Sequence, residues 1–175
     1  MRLRLIISDV DVQMKISGWR TEQSGQNWWD DWCDIDLSLN SRYLHYSPRG
    51  EILMSGEVMG LCDAFEDLLS GKMSGDENLH FAEPDMEFRL RPAKRMLDTA
   101  GCAAQKNGDG NSDVNADWII NFWSADGLGS NAFTMGLARE ELQSICTYLR
   151  LVTGRVQSDA PEILDMLEQG ILLPE

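Results

Sequence analysis

The sequence predicts an α+β fold, in which a twisted, mainly antiparallel sheet carries two amphipathic helices on one face. Three observations lead there. Cys33, Ile35, Leu37 and Leu39 alternate strictly with Asp34, Asp36 and Ser38, the pattern of a half-buried antiparallel strand. Two stretches then place apolar residues at helical spacing: Val58, Leu61, Cys62, Phe65, Leu68 and Leu69 in one, Leu142, Ile145, Cys146, Leu149 and Val152 in the other. The order strand, strand, helix occurs in both halves of the chain. One-sided strands and striped helices must bury their apolar faces on each other, so helices layered on a sheet follow.

Residues 3–7 and 12–16 are short strands, with Val12, Met14 and Ile16 alternating with Gln13 and Lys15. Residues 17–27 are polar and form a loop. Residues 43–46 and 51–55 flank Ser47-Pro48-Arg49-Gly50, a turn sequence that predicts a hairpin between them. Asp63, Glu66 and Asp67 fall opposite the stripe of the first helix, and Gly71 is placed to end it. Residues 79–82 and 86–90 are strands around Glu83-Pro84-Asp85, with Pro84 marking a strand start or a sheet edge. Residues 97–116 are rich in Gly, Asn, Asp, Ser and Ala, as in a flexible insertion. Trp118, Ile120 and Phe122 alternate along a strand that residues 133–135 can pair with. The second helix starts near Ala138, with Glu140 and Glu141 at its positive end and Arg150 at its negative end; Gly154 closes it. Pro161 opens a last short helix.

This organisation divides the chain into a single domain, residues 1–155, and an acidic helical appendage, residues 156–175. Within the domain, residues 29–71 and 117–154 read as two copies of one unit, joined by the strands of residues 79–90 and by the insertion. Aligning the tryptophans and aligning the helices require different offsets. Shared origin and independent recurrence of a hairpin followed by a helix both stand open.

Fifteen Lys and Arg face twenty-nine Asp and Glu, a net charge of -14. Between Glu51 and Glu87 there are ten acids and one Lys or Arg, Lys72; from Val156 onward there are five acids and no base. A field of this sign repels phosphate backbones, which argues against nucleic acid as the ligand. It attracts a basic protein and speeds the encounter, although acidity also serves solubility alone. Cys33, Cys62, Cys102 and Cys146 lie far apart without a C-x-x-C pair, so buried thiols in a reducing compartment are expected rather than disulfides. No apolar run reaches the ~20 residues of a membrane span, and Asp9 and Asp11 interrupt the start of a signal-like segment. A soluble, cytoplasmic protein is expected, with homo-oligomerisation left open.

No serine-hydrolase elbow, zinc-peptidase motif or phosphate-binding glycine loop is present, and no cofactor or metal is expected. An enzyme reading would place catalysis on His80, Glu83 and Asp85; an ordinary histidine near a strand end is the simpler account. Asp109-Gly110-Asn111-Ser112-Asp113 spaces oxygen ligands as a calcium loop does. Val114 and Ile120 then occupy the positions that need Gly and Glu, so a solvated linker is the better reading. Trp28, Trp29 and Trp32 interleave with Asp30 and Asp31. Such a cluster either caps a sheet core or presents Trp28 beside carboxylates to an Arg-rich partner. The candidate partner-binding residues are therefore Trp28, Asp30, Asp31 and Asp34, together with Asp63, Glu66 and Asp67. Reversing the last three to Lys is expected to slow association at low salt and to leave stability nearly unchanged, since exposed charges contribute little to folding; unchanged association would mark them as only a solvated face.

Trp29-Asp30-Asp31-Trp32, with Ile35 and Leu37 following, resembles the opening of the WapI family of bacterial immunity proteins. Phe81-Ala82-Glu83-Pro84-Asp85-Met86-Glu87-Phe88-Arg89-Leu90 is similar to that family's Glu-Pro-x-Leu-x-Phe pattern, with Met86 at the Leu position. Arg139-Glu140-Glu141-Leu142-Gln143 resembles the start of its final helix. The resemblance implies a non-enzymatic protein that binds and blocks a co-encoded toxin domain; combined with the charge, it points to a basic toxin. Asp31 stands where Asn is usual, Cys33 where Leu is, and Ala138 where a Ser cap is expected. The shared motifs are core and turn residues, which carry over fold more directly than partner.

Overall fold

Backbone pairing divides the strands between two sheets where the sequence suggested one. The computed structural model describes residues 1–20, 27–92, 114–123 and 130–174. The elements run β1 (Arg2–Ile7), β2 (Val10–Ser17), one 3-10 turn (Trp28–Asp30), β3 (Trp32–Asn40), β4 (His45–Tyr46), β5 (Arg49–Met54) and α1 (Ser55–Leu69). There follow β6 (Glu77–His80), β7 (Met86–Arg91), β8 (Asn115–Trp123), β9 (Ser130–Leu137), α2 (Arg139–Val152), α3 (Pro161–Glu168) and β10 (Leu172–Leu173). The first sheet has the order β10-β1-β2-β3, with β4 and β5 both beyond β3; the second is β6-β7-β8-β9. Every pairing is antiparallel, so the α+β class holds.

The hairpin expected across Ser47-Pro48-Arg49-Gly50 does not form. His45 and Tyr46 pair with Asn40 and Leu39, and residues 49–54 continue along the same strand from Asp36 back to Trp32. β4 and β5 are thus one edge strand interrupted at Pro48. The proline has no N–H to give, but its carbonyl accepts the Leu37 N–H at 3.1 Å. The chain reverses at residues 41–44 instead, where the Ser41 N–H donates to the Leu44 carbonyl at 2.8 Å. The insertion expected at residues 97–116 is also shorter at its far end, because Asn115 and Ala116 belong to β8 and Ala116 is buried. Residues 97–113, with the calcium-like run and Cys102, lie outside the described residues, as do residues 21–26 of the first polar loop.

Each half follows one plan, four antiparallel strands and then a helix. Both helices start without a hydroxyl cap. The Glu57 carboxylate accepts the Met54 N–H at 2.8 Å, and Glu141 accepts the Ala138 N–H at 2.9 Å. A glutamate at the third helical position therefore does the work that the missing Ser at 138 would share. Gly71 and Gly154, at φ 73° and 72°, close the helices in the left-handed conformation that glycine adopts without strain.

One core joins both sheets and the helices. Phe88 of β7 is its junction: it stacks on Trp118 with ring centres 5.3 Å apart and meets Phe65 of α1 edge-on at 5.3 Å. On the other side the Tyr148 hydroxyl of α2 accepts the Ile16 N–H of β2 at 2.8 Å. Ile163, Met166 and Leu172, from the segment that the sequence set apart as an appendage, are also buried in this core. β10 pairs with β1, and the Arg4 N–H donates to the Ile171 carbonyl at 2.7 Å. Cys33, Cys62 and Cys146 are buried free thiols. Burial pushes all three away from thiolate formation, Cys146 up to about 12, which makes them poor nucleophiles.

Candidate protein-interaction surface

Gly56, Gly60, Asp63 and Asp67 recur at i, i+4, i+7 and i+11 along α1 and so share one face of it. Trp29 lies over the first of them. A Cβ on Gly56 would stand 2.2 Å from the Trp29 ring, so glycine is what lets the indole seat there. Trp29 keeps half of its surface in solvent, while Trp28 is half-buried and meets it edge-on at 5.1 Å. Within this cluster the exposed ring is therefore Trp29, where the sequence had favoured Trp28. Beyond it Gly60 is open, and Gly60, Asp63 and Asp67 form one wall of an open cleft of about 590 Å³. Lys72, Asp76 and Glu77 lie on its other side. The tryptophan turn, Asp63 and Asp67 thus lie along one helix face, with Glu66 to its side.

The α1 acids are not an unpaired solvated face. Arg155 reaches Asp63 at 2.6 Å and Glu66 at 2.9 Å; Arg150 lies 3.4 Å from Glu66 and 3.9 Å from Glu162. Lys72 lies 3.6 Å from Asp67. This network bridges α1, α2 and α3. Reversing Asp63 and Glu66 to Lys would set four cations together, so the expectation of unchanged stability is corrected to a loss of about 1–2 kcal/mol, several times the value of one exposed pair. Of the other predicted acids, Asp31 lies 3.6 Å from Arg20. Asp34 lies 3.4 Å from Arg49 on the face of the first sheet opposite the core, apart from the α1 stripe. Asp30 is exposed and has no ion-pair partner among the described residues.

His80, Glu83 and Asp85 do not form a catalytic arrangement. His80 is exposed and its Nδ1 lies 3.7 Å from Glu87, not from either of the other two. The loop between β6 and β7 is instead held from both sides. Glu57 accepts the Ala82 N–H at 2.6 Å, the Asn121 side chain donates to the Pro84 carbonyl at 2.6 Å, and the Asn121 N–H donates to the Asp85 carbonyl at 2.9 Å. Neither Glu57 nor Asn121 stood out in the sequence, since each acts on residues distant along the chain. Among the described residues no group of His, Cys, Asp and Glu converges on a metal-sized site, and no helix is long and apolar enough to cross a membrane.

Partial burial, and next the Glu83 charge, raise the Asp85 carboxyl above the usual carboxylate range. A folded-state value above the unfolded one means that the native state binds the proton more tightly. The resulting stability is present below about pH 4 and lost as pH rises through the raised value, so ionised Asp85 costs stability at neutral pH. Asp85→Asn should therefore raise Tm by about 1–3 °C at pH 7, a gain that vanishes below about pH 4. Thermal melts of both proteins across that range check it; an equal gain at every pH would rule out the ionisation as cause.

The fold is an α+β scaffold with an acidic, aromatic-tipped face on its first long helix. The Immunity protein WapI-like family model matches residues 4–156, and the chain belongs to that family. No curated protein and no solved structure matches it. The matched region ends where the segment carrying α3 and β10 begins.

Proposed function

We propose that this chain is a non-enzymatic immunity protein that binds and neutralises a co-encoded basic toxin domain in the cytoplasm. Membership of an immunity protein family over residues 4–156 carries the reading. The net charge of -14 supports a basic partner. The contact surface is the α1 face with the tryptophan turn: Trp29, with Trp28 behind it, Asp30 and Asp31 at one end, Asp63, Glu66 and Asp67 at the other. Asp34 contributes only to the long-range field. Trp29 offers a large, half-desolvated ring of the kind that dominates interface energies, and the acids steer the encounter.

Co-expression tests this directly. The toxin domain encoded beside this chain's gene should arrest growth alone and fail to do so when the chain is present. Asp30→Lys with Asp67→Lys, chosen outside the Arg155 network, should slow association about tenfold at low salt and much less at high salt. Growth arrest that persists in the presence of the folded chain overturns the assignment.

A further inference from the structure

Four strand edges bound the two sheets, and they are not equally protected. β10 is two residues long and is followed by Pro174. The β4–β5 edge is broken at Pro48 and shifts register opposite Cys33 and Asp34. Short length, proline and bulges are devices that stop another chain from pairing with an edge. β9 carries no charged residue and lies against β1. β6, four residues long, is regular as β9 is, but among the described residues it has no contact with a second strand like that of β9 with β1. Its Glu77 to His80 pair in register with Leu90 to Glu87, and it contains no proline or bulge. Among the described residues it pairs only with β7.

In an antiparallel strand alternate residues turn their N–H and C=O groups away from the neighbour, so β6 presents an unfilled row of donors and acceptors. Glu77 begins β6 and also lines the α1 cleft with Asp63, Asp67 and Asp76, against the single ammonium of Lys72. Arg155 compensates Asp63, which leaves Asp76 and Glu77 as the acids next to the open edge. A second copy of this acidic chain is repelled there; an extended segment bearing Lys or Arg is attracted. We infer that β6 receives an extended basic segment of the toxin by strand addition, its backbone pairing with β6 and its cations entering the α1 cleft. Main-chain bonds would hold the segment, and the acids would select its charge. This rests on the immunity reading and assigns its surface.

Hydrogen exchange on the full chain, free and mixed with the adjacent toxin domain, separates the two claims. In the complex the amides of residues 76–81 should exchange at least about tenfold more slowly, as outward N–H groups of β6 gain partners. Asp76→Lys with Glu77→Lys should slow association about tenfold at low salt while the exchange of the α1 and β8 amides in the free protein stays unchanged. A complex in which β6 exchange is unaltered, with protection confined to β9 or the tryptophan turn, overturns strand addition and leaves immunity standing. Absence of any complex overturns the immunity reading, and this inference with it. If the double variant does not fold, the exchange comparison on the unaltered chain decides alone.

Discussion

Removing residues 157–175 should unfold or aggregate the protein rather than trim an appendage from it. The deletion takes Ile163, Met166 and Leu172 out of the core, where they are 0%, 7% and 1% exposed. Each such side chain contributes about 1.5–3 kcal/mol by burial, so the three together approach the roughly 5–15 kcal/mol that holds a domain folded. The cut also removes β10 from β1, exposing the unpaired edge of a strand whose Leu3, Leu5 and Ile7 are apolar. The shortened chain should show no cooperative thermal transition and should elute as aggregate in size-exclusion chromatography. A sharp melt within a few degrees of the full chain would show that α3 and β10 are dispensable. The matched family region ends at residue 156, and Ile163, Met166 and Leu172, which pack into its core, lie outside the match.

Phe88→Ala should cost about 3–5 kcal/mol, near the top of the range for a single aromatic truncation. Phe88 is 1% exposed and its ring touches Phe65, Phe81 and Trp118, so the cavity would open where α1 meets the second sheet. Urea unfolding followed by tryptophan fluorescence should show a lower midpoint with an unchanged slope. The emission should shift to the red as Trp118 loses its stacked partner. Phe88→Leu keeps most of the volume and should cost about half as much. A loss below about 1 kcal/mol for the alanine variant would mean that the neighbouring rings collapse into the space. The Trp118 indole N–H is buried without a hydrogen-bond partner among the described residues, and its ring stacks on Phe88 by shape and dispersion.

The α+β class, the alternating face of β3, both helical stripes and the glycines that end the helices were legible in the sequence. Each is a local pattern: which side of a strand or helix is apolar depends on residues two to four positions apart. Partition into two sheets was not legible, because pairing between strands depends on contacts across the whole chain. Ser47-Pro48-Arg49-Gly50 has the composition of a hairpin turn, yet its strands both join β3, whose edge was open to them. The acids at 63 and 66 read as uncompensated charges open to a partner because Arg155, which pairs with them, comes from beyond the second helix. Trp29 and Asp67 are far apart in sequence, and α1 sets Gly56, Gly60 and Asp63 in line between them. Sequence by itself determined the elements, their apolar faces, the acidity and the resemblance to an immunity family. Only tertiary structure decided which acids are compensated, how far Trp28 and Trp29 meet solvent, which strands end the two sheets, and that the last residues pack into the core. Those outcomes depend on side chains brought together from distant parts of the chain, and no local periodicity encodes them.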